Sequence, residues 1–315
     1  MTLTQLGAFV LVARLGSVKE AARALGVSEP AVSQALTALR QHLGDPLIER
    51  GPGGMALTPG GARLLPVASQ MVALGAEAEG AVRAARGAPE TLRVVATAAI
   101  AEFVATPLLE TFTKRSAREV DGSAGVVAGK EVPVLLHSRL ADVALGPDLG
   151  DEPDLVSEPV FRARLVAVGP PRGRPGPPPV WLVDPSGTDP SSETSLLLRR
   201  LKVPEDRVRV YPNQTAAWAA ASDGDGLAVA LAHLVGHRVQ RGELRIVPTA
   251  ATPVKIQWHV TTLAAARRPP LAGAFRRFLA TADALHIMRS PGSGVPPSRF
   301  RPPVYVTLWN STPGA

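Results

Sequence analysis

Three short segments at the start of the chain space their apolar residues as amphipathic helices do. Thr2 and Ser17 each stand three residues before a Gln or a Glu, which is the spacing of a capping box and marks two helix starts. Ser28 can cap a third helix almost directly after Gly26, which can end the second one in a left-handed conformation. Because helices joined so closely must turn sharply, the pattern predicts a helix-turn-helix.

The third of these segments separates apolar from polar positions. The apolar residues follow the 3.6-residue period and are expected to pack on the first two helices; they are Val32, Ala35, Leu36, Leu39 and Leu43. The opposite face carries hydroxyls, an amide and a guanidinium, which bind phosphates and base edges when a helix enters the major groove of DNA. The candidate DNA contacts are Ser28, Pro30, Ala31, Ser33, Gln34, Thr37 and Arg40. A solvated polar face on an ordinary three-helix bundle is the alternative.

Two strand-like runs, residues 47–50 and 55–58, follow around a turn rich in glycine. A hairpin behind a helix-turn-helix makes a winged helix, whose wing can lie along the phosphate backbone. Arg50, at the base of the hairpin, and Gly53, in its turn, are the candidate contacts there.

A long helix is predicted from Pro59 to Arg86. Its apolar positions alternate spacings of four and three, as in a heptad seam; they are Leu64, Ala68, Met71, Gly75, Ala78, Val82 and Ala85. At 1.5 Å per residue this helix is roughly 40 Å long, which is more than so small a domain can bury. We therefore predict that it pairs with a second copy of the chain. A helix lying across its own chain is the alternative.

From residue 92 onward, short β-rich runs alternate with helical segments in two halves, separated by a proline-rich run at 170–179. The predicted strands are 92–97, 141–146, 161–168, 180–183, 208–211 and 227–230, and the predicted helices are 103–114, 192–201, 215–222 and 271–285. This alternation predicts an α/β domain with mainly parallel sheets, which bind ligands at their strand ends. Residues 116–138 show no clear apolar strand, so the first half is expected to be abbreviated or distorted.

The run SVKEAARALGVSEPAVSQALTALRQHLGDPLIER at 17–50, with the following MALTPGG, resembles the DNA-binding signature of LysR-type transcriptional regulators. Glu29, Arg40 and Ile48 stand where Gln, an acidic residue and Phe are usual in that family. A carboxylate at Glu29 suits the helix dipole but repels a nearby phosphate. The resemblance implies a homodimer, commonly assembled into a tetramer, that presents two recognition helices to double-stranded DNA.

The segments ADVALG at 141–146 and NQTAAWAAASDGDGLAVA at 213–230 resemble the effector domain of the same family, which has a periplasmic-binding-protein-like fold. The resemblance implies a small-molecule effector, of unknown identity, between two subdomains. The candidate effector contacts are Thr97, Ser186, Thr188, Asn213, Gln214 and Thr215. The last three precede a helix N-terminus, whose free N–H groups suit an anion. Each of the six is otherwise an ordinary turn or capping residue.

The predicted organisation has four parts. They are a winged helix-turn-helix at 1–58, a linker helix at 59–88, an effector domain at 89–288 and a tail rich in Pro and Arg at 289–315. Within the effector domain the subdomains are expected at about 92–160 plus 255–288 and at 170–250. The predicted function is sequence-specific transcriptional regulation in response to a small effector. The alternatives are an architectural or low-specificity DNA-binding protein without an effector, and an enzyme tethered to DNA.

Charge and composition add mainly exclusions. The net charge of +7 does not locate a DNA-binding surface, because residues 1–90 carry 8 basic and 7 acidic groups while residues 267–315 carry 7 and 1. With no Cys, the chain has no disulfide framework and no thiolate zinc site. His233 and His237 stand four apart without an accompanying Glu, and neither G-x-S-x-G nor a P-loop is present. We expect no enzymatic activity, no metal and no cofactor.

The sequence also bears on location. Its longest uncharged apolar stretches are shorter than the roughly 18 residues of a membrane span, and its first twenty residues lack the pattern of a secretory signal. A cytoplasmic protein without membrane contact is expected.

Overall fold

The computed structural model describes residues 1–51, 54–117, 119–172 and 179–291 of the chain. Gly53 and the predicted tail beyond residue 291 lie outside the described residues. The helices are α1 (Leu3–Leu15), α2 (Val18–Leu25), α3 (Glu29–Leu43), α4 (Pro59–Ala85), α5 (Ala98–Ile100), α6 (Thr106–Arg115), α7 (Val132–His137), α8 (Glu193–Arg200), α9 (Gln214–Asp223), α10 (Ala232–Gln240), α11 (Pro270–Leu279) and α12 (Ala282–Arg289). A π-helical turn, Ala101–Ala105, joins α5 to α6, and 3₁₀ turns lie at Gly129–Glu131, Pro185–Thr188 and Glu205–Arg207.

The strands form two sheets. They are β1 (Ile48–Gly51), β2 (Gly54–Leu57), β3 (Glu90–Ala96), β4 (Val120–Val126), β5 (Val143–Gly146), β6 (Leu155–Gly169), β7 (Trp181–Val183), β8 (Val208–Val210), β9 (Leu227–Leu231), β10 (Arg245–Val247) and β11 (Val254–Leu263). β1 and β2 pair as an antiparallel hairpin. The others form one sheet in the order β4-β3-β5-β11-β6-β9-β7-β8, with β10 paired to β6.

The first three helices and the hairpin form the predicted winged helix. Thr2 and Gln5 make the expected reciprocal capping box, and Gly16 and Gly26 end the first two helices in the left-handed conformation. The apolar face of α3 packs inward as predicted, with one exception. Leu43 is 41% exposed, because it lies in the last turn of the helix, past the end of the buried face.

The linker helix α4 begins where the hairpin ends. Thr58 accepts a hydrogen bond from the backbone N–H of Gly61 at its hydroxyl (2.9 Å), and that hydroxyl in turn donates to Asp45 (2.7 Å). The first half of α4 then packs against α1 of its own chain, with Ala68 and Ala73 buried.

The predicted seam on α4 is therefore wrong for its first half. Leu64, Ala68 and Met71 contact the winged-helix core, because α1 needs an apolar partner within the same domain. Of the large apolar side chains that α4 leaves open to solvent, Val82 belongs to the predicted seam, whereas Val67 and Leu74 do not; the three are 56%, 52% and 62% exposed.

The effector domain has two parallel groups of strands joined by two long antiparallel ones. β3, β4 and β5 run parallel in the first group, and β7, β8 and β9 run parallel in the second. β6 and β11 pair antiparallel along ten residues and continue into both groups. The predicted strand at 161–168 is accordingly part of a much longer one.

The first half is not abbreviated, so that prediction is wrong. β4 pairs with β3 in parallel register from Val120 to Val126 and forms the edge of the sheet. Most of its residues are small, and most are exposed. The small side chains leave room for α6, which passes close by: a Cβ on Gly122 would lie 3.2 Å from the side chain of Leu109. The predicted helix at 103–114 is also longer at its start, where α5 and the π-helical turn precede α6.

The first half of the effector domain also contacts the winged helix of its own chain. Val134, on α7, is buried within the winged-helix core. Arg23 of α2 forms an ion pair with Glu131 (3.1 Å), and Arg139, which is buried, pairs with Glu77 of α4. Apolar packing of Val134 and Leu140 and these two ion pairs therefore join the two parts.

Candidate nucleic-acid interface and effector cleft

The structure places most of the predicted DNA contacts together on one exposed face of α3. The hydroxyl of Ser28 caps the helix by accepting from the N–H of Ala31 (3.4 Å). The other exposed members of the predicted set are Pro30, Ala31, Ser33, Gln34 and Thr37. Because Val32, Leu36 and Leu39 are buried on the opposite side, the polar face is fixed outward.

Arg40 differs from the other residues of this face. It is half-buried, and its guanidinium donates to the carbonyl oxygen of Ile48 (3.2 Å), which ties α3 to the hairpin. Arg50 lies in β1 opposite Met55 in the hairpin register. Glu29 lies exposed in the first turn of α3, where its charge is next to the polar face.

Three of the predicted effector contacts make local hydrogen bonds only. Ser186 donates from its hydroxyl to Asp184 (2.9 Å), and Thr188 donates to the carbonyl oxygen of Pro185 (2.8 Å). Asn213 caps α9 by accepting from the N–H of Ala216 (2.8 Å). Thr97 stands at the start of α5 without a side-chain capping bond.

The remaining two predicted contacts, Gln214 and Thr215, meet a carboxylate from the other half of the domain. Glu102 accepts from the backbone N–H groups of Gln214 and Thr215 (3.0 Å each) and from the hydroxyl of Thr215 (2.5 Å). The helix N-terminus predicted to bind an anion therefore already binds one, and that anion belongs to the chain itself.

An aromatic stack lies beside this carboxylate. The rings of Phe103 and Trp218 are 5.0 Å apart with their planes at 10°. Trp218 also donates to the carbonyl oxygen of Val229 (3.0 Å), which fixes its ring. The stack and the Glu102 hydrogen bonds together join α9 to the helical run at 98–115.

Two protein-family models match most of the chain. Residues 3–62 match the bacterial regulatory helix-turn-helix protein, lysR family, and residues 85–284 match the LysR substrate binding domain. The chain belongs to the LysR family. It is therefore a DNA-binding transcriptional regulator with an effector-binding domain, as the sequence predicts.

Individual LysR-family relatives match over nearly their whole length. An HTH-type transcriptional regulator of Mycobacterium tuberculosis is 33% identical over 323 residues, covering 98% of this chain and 100% of the relative. The regulator CbbR of Xanthobacter flavus is 28% identical over 92% of this chain and 91% of its own.

Solved structures support the fold. Full-length LysG from Corynebacterium glutamicum, with bound effector Arg, is similar over 90% of this chain and 98% of its own, with a TM-score of 0.54 and 18% identity. ArgP from Mycobacterium tuberculosis has the same TM-score at 19% identity, over 89% of this chain and 96% of its own.

The electrostatics of this LysR-family cleft are dominated by two buried carboxyl groups. Burial raises the pKa of Glu102, and the nearby charge of Asp184 raises it further, while the hydrogen bonds from Thr215 and Gln214 act in the opposite direction. Burial also raises the pKa of Asp184, against its hydrogen bonds from Ser186. Both groups therefore hold a proton more readily than free carboxyl groups do.

Neither carboxyl group was predicted from the sequence. Glu102 gives a signal in retrospect, because it is the one ionisable residue between Arg93 and Glu110, in a run that is otherwise apolar or small. Asp184 directly follows the buried strand β7, which is where parallel strands place their functional groups.

The histidine pair does not form a metal site. His233 packs edge-on against Phe161 and Trp258, with ring centroids 5.1 Å and 5.5 Å away, and burial lowers its pKa to about 4. His237 is exposed. In the described parts of the chain, no three His, Cys, Asp or Glu side chains are placed to hold a metal ion. No described helix is both long and apolar enough to cross a membrane.

Proposed function

We propose that this regulator binds duplex DNA as a homodimer, with α3 of each copy in the major groove, and that its effector binds between the two halves of the effector domain. The observation that carries the proposal is the exposed polar face of α3, from Ser28 to Thr37, held outward by its buried opposite side. Hydroxyls and an amide in this arrangement suit phosphate and base-edge contacts. We further propose a cytoplasmic location and no catalytic activity.

The proposed dimer is supported by α4. Val67, Leu74 and Val82 leave a row of apolar side chains open to solvent along a helix of 27 residues. A row of this kind is stabilised by an equivalent helix of a second copy. Two-fold pairing then presents two recognition helices to one pseudo-palindromic site.

The proposed response to the effector follows from the cleft. Glu102 and Phe103 on one side contact α9 on the other, so a ligand at this junction changes how the halves meet. Such a ligand shifts the population of arrangements by binding one of them more tightly. A change in the spacing of the two recognition helices then alters the fit to DNA and its bending.

The test of DNA binding uses Ser33→Ala and Gln34→Ala on the full chain. We expect each variant to bind its operator roughly 5- to 150-fold more weakly in a gel shift, since a lost base contact costs about 1–3 kcal/mol. Gln240→Ala, at an exposed position of α10, is the matched control and should bind normally.

Binding to random duplex at the same salt concentration separates this proposal from low-specificity binding, because backbone contacts alone give little preference. Undiminished operator affinity in both α3 variants would show that the polar face of α3 does not contact DNA.

A further inference from the structure

The junction between the two halves of the effector domain collects hydrogen-bond acceptors. The carboxylates of Glu102 and Asp184 are 7% and 4% exposed, and they lie close enough for their charges to repel. Neither forms an ion pair with a basic side chain in the described ranges. The three donors to Glu102 are a hydroxyl and two backbone N–H groups, which bring no full positive charge.

A third acceptor at the same place has no partner at all. Gln214 is 9% exposed, and its side-chain amide lies near enough to the Asp184 carboxylate to act against the rise in the pKa of that carboxyl. Its Oε1 is buried and accepts no hydrogen bond. A buried polar atom left unsatisfied is costly, so a ligand that donates a hydrogen bond to Oε1 would be stabilised there.

These acceptors specify the charge of that ligand. Two carboxylates buried together without a cation are unfavourable, because the loss of hydration is not offset by an opposite charge. An anionic ligand would add a third negative charge beside them. An ammonium or guanidinium group offsets both charges and brings several N–H donors for the carboxylates and for Oε1.

We propose that the effector of this regulator carries a small organic cation, bound by the carboxylates of Glu102 and Asp184 and by Oε1 of Gln214. This inference rests on the proposed function, since it takes the junction between the two halves as the effector site. It replaces the sequence-based expectation of an anion at the start of α9, because Glu102 already occupies that helix end.

The test is a series of four-carbon probes that differ in their charged group: n-butylammonium, n-butylguanidinium, neutral 1-butanol and butyrate. Each is titrated into the full-length protein at constant ionic strength, and the thermal midpoint and heat of binding are recorded. We expect at least one of the two cations to raise the midpoint in a saturable way, and the alcohol and the anion to leave it unchanged.

Two variants connect this binding to the named groups. Asp184→Asn and Glu102→Gln should each weaken cation binding at least tenfold. Glu110→Gln removes the same charge from an exposed position of α6 and should leave the affinity unchanged. A wild-type circular dichroism spectrum and thermal transition in each variant show that the effector domain is folded, and retained operator binding in a gel shift shows that the winged helix is folded.

Two results would overturn the inference. One is no response to either cation in the wild-type protein. The other is binding of butyrate that becomes stronger in Glu102→Gln, which would show that Glu102 fills an anion site. Either result with intact, Ser33-dependent operator binding defeats the cationic effector alone, whereas loss of that DNA binding defeats the proposed function.

Discussion

At the scale of single residues, close backbone contacts and buried charges decide what each position accepts. Gly61 lies where α4 passes the hairpin, and a Cβ there would lie 2.0 Å from the carbonyl oxygen of Leu47. The sequence shows only a Gly-Gly pair after Pro59, which is equally typical of a loop. Contacts of this kind depend on the tertiary packing and are not predictable from spacing.

Gly61→Ala should therefore destabilise the protein. We expect the free energy of unfolding to fall by roughly 1–3 kcal/mol, because backbone must move to admit the methyl group. Gly236→Ala is the matched control, since it is also helical and has no atom within 4 Å of its added Cβ. The free energy of unfolding of Gly236→Ala should rise by about 0.5–1 kcal/mol. Chemical denaturation measures both, and equal effects would contradict the close contact.

His233 should make stability depend on pH. Its pKa is about 4 in the folded chain against 6.5 when unfolded, so the unfolded state binds more protons between these values. The contribution of His233 is complete above pH 6.5 and is lost as the pH falls to 4, by at most about 3 kcal/mol.

The measurement is the free energy of unfolding of His233→Phe and of wild type from pH 7 to pH 4. The two proteins must be compared because Glu102, Asp184 and Glu193 have pKa values raised by burial. These three groups make the fold more stable as the pH falls, which is opposite to the effect of His233. We expect the free energy of unfolding of His233→Phe to rise relative to that of wild type as the pH falls. His237→Phe, at an exposed position, should follow wild type, and parallel curves for all three proteins would refute the role of His233.

At the scale of elements, the sequence predicts those helices and strands whose own residues carry the reason for them. The caps at Thr2, Ser17 and Ser28 correctly start the first three helices, and the buried strands β5 and β9 follow from their apolar runs. β4 escapes prediction because it is an edge strand of small residues, shaped by α6 rather than by its own hydrophobicity. The α4 seam is misplaced for a similar reason, since α1 takes part of its apolar surface.

The exposed row on α4 should hold two copies together. Leu74 is the most exposed of its apolar side chains, at 62%. Leu74→Glu places a carboxylate in the proposed helix pair, where its twin in the second copy repels it. We expect analytical ultracentrifugation to show a monomer at concentrations where the wild type is a dimer. Leu196→Glu, at an exposed leucine of α8, is the control and should remain dimeric.

At the scale of the whole molecule, the winged helix and the effector domain meet within one chain. α7 inserts Val134 into the winged-helix core, and the ion pairs Arg23–Glu131 and Arg139–Glu77 also join the two domains. The sequence predicts both domains but not this contact. Nothing in the pattern around Val134 separates a residue that packs within its own domain from one that packs on another.

Val134→Asp should loosen this contact without unfolding either domain. A buried carboxylate without a partner is unfavourable, so the contact opens to hydrate it. We expect a wild-type thermal transition that is single to become two transitions, and limited proteolysis to cut faster near Gly87. Val210→Asp, at an exposed strand position, is the control. A single transition retained in Val134→Asp would contradict a role of this contact in coupling the two domains.

The two long strands that run between the halves determine the order in which parts of the chain can fold during synthesis. Because β5 pairs with β11, the sheet of the first half is complete only after residues 254–263 have left the ribosome. The winged helix needs no strand from so late in the chain, since its buried core comes from residues 6–68, with Val134 of α7 added afterwards. The nascent chain therefore completes its DNA-binding domain early and its effector-binding domain last.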